Sequence, residues 1–567
     1  MRITAIVLLL ALFAGCQTSA PPIVPEEPYE VLAQRMSSGE AVAVAALRQA
    51  FVADPAFPAK LSRLTELESQ ALQLAEDEPL KLGSLGSAIL DLYQGSLAGH
   101  YAMQRFYEHV ENPETAVVHS GWVERIVEDI RGSGDGSIDA PYPAVTPIEP
   151  IAFTRSQGLL PVGSIYRTTE AHHFVLLLQS RPQTGALTST HFDLDSVYQA
   201  IRSELVRADH SAADATADDE PDSVVDEFNP FALMVYLARQ GDTAAQAAIG
   251  AYQATHDRQT DAIEWLRSAS RSGNVLANNL LARVFFELAE SAEDDTAREQ
   301  AMDQVMENYV HAIALGSLDS AYALGVLYVN DHYGEDNAAS GVPLLKQASA
   351  GGHAGATLYL GHLSYQGKQM QQSYEEAGTF YLQAAQTDST TAKKTYARFL
   401  LDRNHALQSH PDTVDWLRTM AKEGADPEAM LLLGNLHARG LGTAQNFRRA
   451  RSWFEKAIKA SDSDANIVNE VAWVLTVSHL DGLKRTDYAL DIMTTLMDGN
   501  DAARQRPEYL DTWAATFAAN GEFTRAIEIQ KEALGRAEET NDPDVIKELQ
   551  IHLEQFEAGE TITETAP

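Results

Sequence analysis

The pattern of apolar positions changes twice along this chain of 567 residues, and each change marks a new structural region. Within 31–51, 61–74, 82–97 and 100–130, apolar residues recur every three to four positions, which is the spacing of an amphipathic helix. A cluster of glycine and other turn-forming residues at 130–144 then ends the helical pattern. The first part of the chain is therefore predicted to be helical.

Short, apolar and β-prone segments follow this turn cluster. The segments 165–169 and 174–178 have the character of strands, 191–194 is a candidate third strand, and 197–206 predicts a closing helix. This order of elements predicts an N-terminal α+β domain over 30–206 with a small antiparallel sheet. The next segment, 207–229, holds eight acidic residues and few apolar ones. Such a composition cannot offset the entropy cost of folding, so a disordered linker is predicted.

From residue 230 onward the chain repeats itself. Leu324 and Leu360 stand 36 positions apart, and within three units a glycine precedes an alanine by 23 positions. A sustained period of this length is typical of a solenoid of helix pairs. Small residues let the two helices of a pair approach closely, and a large side chain four residues before the alanine is expected to fill the groove between them. The packing positions in these units are Gly250, Trp265, Ala269, Gly325, Ala348, Gly361, Phe380, Ala384, Gly434, Trp453 and Ala457.

Residues 433–460, LGNLHARGLGTAQNFRRARSWFEKAIKA, resemble a Sel-one-like repeat, a relative of the tetratricopeptide repeat. Residues 510–534 are similar to a tetratricopeptide unit through the packing positions Trp513, Gly521, Ala526 and Ala533. The resemblance implies an all-α helical-repeat solenoid over 230–540, followed by a capping helix and a polar tail at 541–567. It also implies that the first helix of each pair presents side chains to a protein partner. The candidate contact residues are Asn278, Tyr322, Tyr359, His362, Asn435 and His437.

The N-terminus carries a different kind of signal. Arg2 is followed by an apolar run at 3–13, small residues, and Cys16, which is the only cysteine of the chain. This order resembles a bacterial lipoprotein signal, with a cleaved segment at 1–15, a lipidated Cys16 and a proline-rich tether through residue 29. Gln17 then favours the outer membrane, facing the periplasm. A plain secretory signal and an N-terminal anchor helix are the alternatives.

Composition narrows the range of functions. Lys and Arg total 42 against 80 Asp and Glu, a formal net charge of −38, and nucleic-acid binding requires the opposite sign. The same charge opposes attraction to an anionic membrane, so contact with lipid is expected through the anchor only. With Cys16 lipidated, no thiol remains for a disulfide, a nucleophile or a cysteine-ligated metal.

The search for chemistry in the sequence finds no catalytic signature. His172, His173 and His191 lie in the strand region, but no carboxylate stands near them at metal-ligand spacing in the sequence, and no metal or cofactor is predicted. The glycine-rich segment 132–136 lacks the Lys-Ser/Thr of a phosphate loop. The sequence therefore favours a protein-binding adaptor or assembly scaffold of the cell envelope over an enzyme. Two alternatives stay open, namely an envelope polymer-modifying or hydrolysing enzyme that uses 30–206, and a glycan-binding solenoid.

Overall fold

The computed structural model describes residues 25–182, 187–213, 230–387, 389–402, 409–540 and 542–564. The signal segment 1–15, Cys16 and residues 214–229 of the predicted linker lie outside the described residues. The chain divides into two compact units, Met1–Leu327 and Tyr328–Pro567. The predicted fold class is confirmed, because an α+β part precedes a solenoid of helical repeats.

Helices make up most of the N-terminal part. They are α1 (Tyr29–Ser37), α2 (Val44–Val52), α3 (Phe57–Leu74), α4 (Leu82–Leu92), α5 (Leu97–His109), α6 (Pro113–Gly132), α7 (Glu149–Ser156) and α8 (Asp195–Ala213). The apolar pattern over 82–97 covers the whole of α4 and the first residue of α5. Ser96 causes the break, because its hydroxyl accepts a hydrogen bond from the Gly99 amide and so caps α5. Helix α8 extends to Ala213, so the predicted linker at 207–229 starts within a helix.

The four strands form one mixed sheet beside these helices. They are β1 (Tyr142–Pro143), β2 (Leu160–Arg167), β3 (Val175–Arg181) and β4 (Thr188–Asp193), in the order β1-β4-β3-β2. Strand β3 pairs antiparallel with both β2 and β4, but β1 runs parallel to β4. The antiparallel sheet that the sequence predicts is therefore corrected to a mixed one. A strand of two residues is too short to leave a period in the sequence.

The core of the N-terminal part contains charged groups as well as aromatic rings. Phe51 stacks on Tyr93 with ring centroids 3.9 Å apart. Beside them Arg48, of which 5% is exposed, forms ion pairs with Glu149 and with Asp129, the latter at 3.2 Å. Its guanidinium also donates to the Pro143 carbonyl at 3.0 Å. The buried cation therefore links α2, α6 and α7 to the last residue of β1.

The first unit continues into the repeats. Its further helices, the last of which reaches into the second unit, are α9 (Pro230–Arg239), α10 (Thr243–Ala254), α11 (Gln259–Arg271), α12 (Val275–Ser291), α13 (Asp295–Ala314) and α14 (Leu318–Val329). Strand β2 packs directly against the starts of two of them. The Asn274 side chain exchanges hydrogen bonds with the main chain of Ser164, and the Tyr166 hydroxyl donates to Asp242 at 3.0 Å. The sheet and the first helix pairs thus share one interface.

The second unit contains helices only, among the residues described. They are α15 (Gly341–Ala350), α16 (Ala354–Gln366), α17 (Tyr374–Ala385), α18 (Thr390–Leu401), α19 (Thr413–Glu423), α20 (Pro427–Arg439), α21 (Phe447–Ala460), α22 (Ala465–Val477), α23 (Thr486–Gly499), α24 (Pro507–Ala519), α25 (Phe523–Thr540) and α26 (Pro543–Glu557). Gly367 and Gly440 end α16 and α20 at φ of 72° and 75°, a left-handed conformation that glycine adopts without strain.

No helix in the described part of the chain has the length and apolar character that crossing a bilayer requires.

Candidate functional site

Three repeat glycines lie where two helices touch. Gly250, Gly361 and Gly434 stand on the first helix of a pair, and a β-carbon added at any of them would come within 2.5 Å of a side chain on the second helix. Such a distance leaves no room for any other residue. The repeat alanines are equally enclosed, since each has 0% exposure, and these are Ala269, Ala348, Ala384, Ala457, Ala526 and Ala533. Gly325 is also buried.

The side chains that fill the space against these glycines differ from those that the sequence suggests. Trp265, Phe380 and Trp453 are partly exposed. The atoms that face the three glycines belong instead to the following residue in each unit, Leu266, Tyr381 or Phe454. Positions three and four residues before the alanine lie on the same helical face, so spacing alone does not distinguish them. Packing selects the position three residues before.

The last repeat contains both a buried tryptophan and an open turn. Trp513 has 6% of its surface exposed and donates from Nε1 to the Thr494 hydroxyl at 3.1 Å. Gly521 lies between α24 and α25 with φ of 84°, and an added β-carbon there would meet nothing within 4 Å. The role of Gly521 is therefore to form the turn, and not to pack one helix on another.

Two of the candidate contact residues lie in the interior. Asn278 is 1% exposed, accepts from the Ser270 hydroxyl at 2.7 Å and donates to the Asn274 carbonyl. His437 is 3% exposed, and burial lowers its pKa. Both side chains face neighbouring helices, so neither is placed to touch a partner at the surface. For these two residues the expectation from the sequence is corrected.

The other four candidates are partly exposed. Tyr322 and Tyr359 lie on α14 and α16, and the Tyr359 hydroxyl donates to the Asn330 side chain at 3.2 Å. His362 is hydrogen-bonded through Nδ1 to the Tyr381 hydroxyl at 2.9 Å, and burial lowers the pKa of this histidine. Asn435, on α20, lines a cleft of the second unit. These residues remain accessible to a partner.

This cleft is lined by residues from several separate segments of the second unit. It measures about 330 Å³ and lies between α20, α22 and the chain that follows α26. We call it the tail cleft, and its walls include Asn435, Arg439, Glu470, Trp473, His479 and Glu564. Asn435 is the one candidate contact residue among its lining. Repeat spacing in the sequence suggests a core position for Trp473. No local signal in the sequence predicts that Glu564 and Glu470 line the same cleft.

A second cluster lies at the end of the sheet. His172 Nδ1 lies 3.2 Å from Asp193 Oδ2 and 3.8 Å from Asp195 Oδ2. The fold therefore brings two carboxylates close to this histidine, although neither stands at metal-ligand spacing from it in the sequence. These carboxylates already have backbone partners. Asp195 accepts from the amides of His173 and Phe174, and Asp193 accepts from the amide of Asp195. The cluster therefore holds the turn between β4 and α8.

The third histidine of the strand region lies apart from this cluster. His191 Nδ1 is 3.2 Å from the Gly136 carbonyl, in the turn cluster after α6. Burial lowers the pKa of His191, which favours the neutral imidazole. The three histidines thus have different surroundings and do not converge on one point.

Stacked helix pairs with small residues at the crossing and large ones beside them define a helical-repeat protein of the Sel1 and tetratricopeptide class. The family model described as Sel1 repeat matches residues 245–274, 354–387 and 427–462. Each matched segment falls on one helix pair, α10 with α11, α16 with α17, and α20 with α21. The chain therefore contains Sel1 repeats. Solenoids of this class generally mediate protein–protein interactions and are typically non-enzymatic scaffolds.

Solved structures include similar proteins at low identity. A protective antigen of uropathogenic Escherichia coli, described as displaying an SLR fold, is 14% identical over 94% of this chain and 96% of its own, with a TM-score of 0.39. A Sel1 repeat protein from Oxalobacter formigenes is 21% identical over 40% of this chain and 90% of its own, with a TM-score of 0.32. A thermophilic TPR protein of Thermus thermophilus is 18% identical over 35% and 98%, with a TM-score of 0.26. No curated protein matches the chain significantly.

Proposed function

We propose that this protein is a lipid-anchored adaptor or assembly scaffold of the cell envelope that binds another envelope protein through its helical repeats. The observation that carries the proposal is the set of Sel1 repeats, whose helix pairs leave polar and aromatic side chains of the first helices accessible. A stack of such pairs offers an extended surface that suits a protein chain better than a small substrate. The role is accordingly non-catalytic.

The proposed location rests on the N-terminal sequence. The apolar run at 3–13 and the single Cys16 support a lipid anchor, and Gln17 supports the outer membrane, facing the periplasm. The acidic net charge supports attachment through acyl chains and not through basic residues.

The anchor is tested by replacing the lipidated residue. We expect Cys16→Ser to release the protein from the membrane fraction, because no acyl chain can then be attached. The measurement is cell fractionation followed by immunoblotting, with a high-salt wash as the control for charge-dependent attachment. A variant that remains in the washed membranes would refute the lipid anchor.

Partner binding is tested in cells with a photo-crosslinking amino acid at single positions of the full-length protein. Tyr359 and Asn435 are the test positions, and Val117, which is 69% exposed on α6, is the matched control. We expect a defined protein to be captured from the two repeat positions and not from Val117. Capture of no protein at any position would overturn the adaptor proposal and would favour glycan binding or catalysis.

A further inference from the structure

One helix of the second unit has a charge opposite to that of the whole chain. Helix α21 carries five basic residues and one acidic residue, whereas the chain has 42 Lys and Arg against 80 Asp and Glu. Four of the five are exposed, and we call them the basic face: Arg448, Arg449, Lys456 and Lys459. Their spacing places them within about 100° of the helix circumference, opposite the side of α21 that packs on α20.

The basic face has no carboxylate partner. None of its four side chains forms an ion pair or a hydrogen bond within the described residues. Exposed arginines near the start of other second helices are paired, as Arg258 of α11 is with Asp261 and Arg525 of α25 is with Glu528. Four unpaired positive charges on one helix therefore create a local surface that attracts anions, although the molecule as a whole is acidic.

Two of these arginines are unfavourable for the helix that carries them. Arg448 and Arg449 stand in the first turn of α21, which has no acidic residue. The N-terminal end of a helix carries a partial positive charge, so acidic side chains stabilise it and basic ones destabilise it. Residues that oppose a local rule of stability are expected at positions that serve function.

The positive surface extends from α21 toward α19. Burial is the main cause of the low pKa of His437, and the charges of Arg449 and Arg418 lower it further. Both guanidinium groups therefore lie near this residue of α20. Arg418 is paired with Asp415 on its own helix. On α21, Trp453 adds a partly exposed ring whose centre lies 4.3 Å from Lys456 Nζ.

We propose that the basic face binds an acidic segment of a partner protein. Carboxylates suit the two arginines, because a guanidinium group can donate two parallel hydrogen bonds to one carboxylate. A short segment can contact the basic face alone, since charges beyond about 8 Å are screened at physiological ionic strength. An anionic bilayer would also meet the acidic surface around it. The inference goes beyond the proposed function, because it concerns second helices, whereas the candidate contact residues lie on first helices.

The test uses two dodecapeptides that carry the same dye. In one peptide glutamate alternates with serine, and in the other glutamine, which is close in shape but uncharged, takes the place of glutamate. We expect the purified full-length protein to bind the glutamate peptide at least about tenfold more tightly, a difference of about 1.4 kcal/mol. Equal affinity for the two peptides, or no binding of either, would overturn the proposal.

Vesicles distinguish an acidic segment from an anionic lipid surface. Cys16→Ser protein is used here, so that no acyl chain contributes to binding. We expect phosphatidylglycerol vesicles to displace the glutamate peptide no better than phosphatidylcholine vesicles do. Displacement by the anionic vesicles alone would overturn the proposal in favour of lipid.

Variants identify the basic residues. The double variant Arg448→Gln/Arg449→Gln should reduce the preference for glutamate at least about threefold, and replacement of all four residues of the basic face by Gln should abolish it. Lys531→Gln/Lys547→Gln is the matched control, since it removes two charges from exposed positions of α25 and α26 and should bind like the unaltered protein. A preference that persists in the fourfold variant would refute the assignment.

Thermal unfolding separates a binding role from a structural one. Because arginine opposes the helix dipole at this end of α21, the double variant Arg448→Gln/Arg449→Gln should melt at the same temperature as the unaltered protein or at a higher one. Weaker binding together with a lower melting temperature would show that the arginines support the fold, and would overturn their assignment to binding.

Crosslinking in cells separates this inference from the proposed function. If Tyr359 and Asn435 capture a partner while the protein shows no preference for glutamate, the basic-face proposal is wrong and the adaptor function stands. If the protein prefers the glutamate peptide but captures no partner in cells, the adaptor function is wrong and the basic face keeps its binding chemistry.

Discussion

At the scale of single residues, the most unusual environment is that of Glu68. This side chain is 1% exposed on α3 and accepts hydrogen bonds from the Ser96 and Thr146 hydroxyls at 2.6 and 2.5 Å. No cation is bonded to it among the described contacts. Burial therefore raises its pKa to about 7, in spite of the two hydroxyl donors.

This pKa predicts how the stability of the protein depends on pH. Because the folded-state pKa of Glu68 is above the unfolded value of 4.5, the folded protein retains a proton between pH 4.5 and about 7 that the unfolded chain has lost. The free energy of unfolding therefore falls as the pH rises through this window. The side chain that Glu68→Gln introduces cannot ionise. From pH 5 to pH 8, the free energy of unfolding of this variant should therefore rise by about 1–3 kcal/mol relative to that of the unaltered protein.

Urea denaturation at several pH values measures this difference. Glu66→Gln is the control, since Glu66 lies on the exposed face of the same helix and pairs with Arg63. Parallel pH curves for Glu68→Gln and the unaltered protein would contradict the prediction.

At the scale of helices, the crossing points of the repeats define the structure. On α20, the position of Gly434 is in contact with the Phe454 ring of α21, and both residues are fully enclosed. The close packing of such a helix pair depends on the lack of a side chain at the glycine position, because any side chain there would overlap the ring of the second helix.

A substitution at this crossing point should destabilise the second unit. We expect Gly434→Ala to lower the free energy of unfolding by about 1–3 kcal/mol, because the methyl group forces the two helices apart. Gly535→Ala on α25 is the matched control, since nothing lies within 4 Å of an added β-carbon there, and alanine is the better helix former. Chemical denaturation should therefore show opposite signs for the two variants. A loss of stability in both would contradict this interpretation.

The last helix is held by an ion pair that depends on pH. His552 on α26 lies 2.9 Å from Asp511 on α24, and Gln530 of α25 donates to the same carboxylate. Burial lowers the pKa of His552, but the hydrogen bond and charge of Asp511 outweigh it and leave the pKa above 6.5. The stability that this pair contributes is thus complete below pH 6.5 and is lost as the pH rises through the folded-state pKa.

Hydrogen exchange can detect this dependence. We expect the amides of α26 to lose protection between pH 6 and pH 9, after correction for the intrinsic exchange rate, whereas His552→Gln should have lower protection that does not change with pH. Exposed Glu554→Gln on the same helix serves as the control and should behave like the unaltered protein. Equal pH dependence in His552→Gln would exclude the ion pair as the cause.

At the scale of the molecule, the interface between the sheet and the first repeats joins regions that are far apart in sequence. Asn274 caps α12 and also bonds to Ser164 of strand β2, and Asp242 caps α10 while it accepts from Tyr166. An added β-carbon at Gly163 would lie 2.7 Å from Val275. The α+β part and the first helix pairs are therefore expected to remain together even when the chain between them is cut.

Limited proteolysis tests this expectation. The acidic composition of 207–229 predicts the first cut by a glutamate-specific protease within this segment, where Glu220 and Glu227 lie. The two fragments should elute together in size-exclusion chromatography because β2 holds α10 and α12. Mass spectrometry locates the cut. A first cut within 317–460, or separation of the fragments without denaturant, would contradict the prediction.

The sequence alone determined the repeat class, the helix pairs and the small residues at their crossings, because helical packing repeats at fixed intervals and leaves a period in the chain. Tertiary structure decided which large side chain fills each crossing, since Tyr381 and Phe380 are equivalent by spacing. It also buried Asn278 and His437, whose surroundings come from other helices. The contact of Glu564 with the end of α22 joins residues 87 positions apart (564 minus 477), and no local pattern in the sequence encodes such a distance.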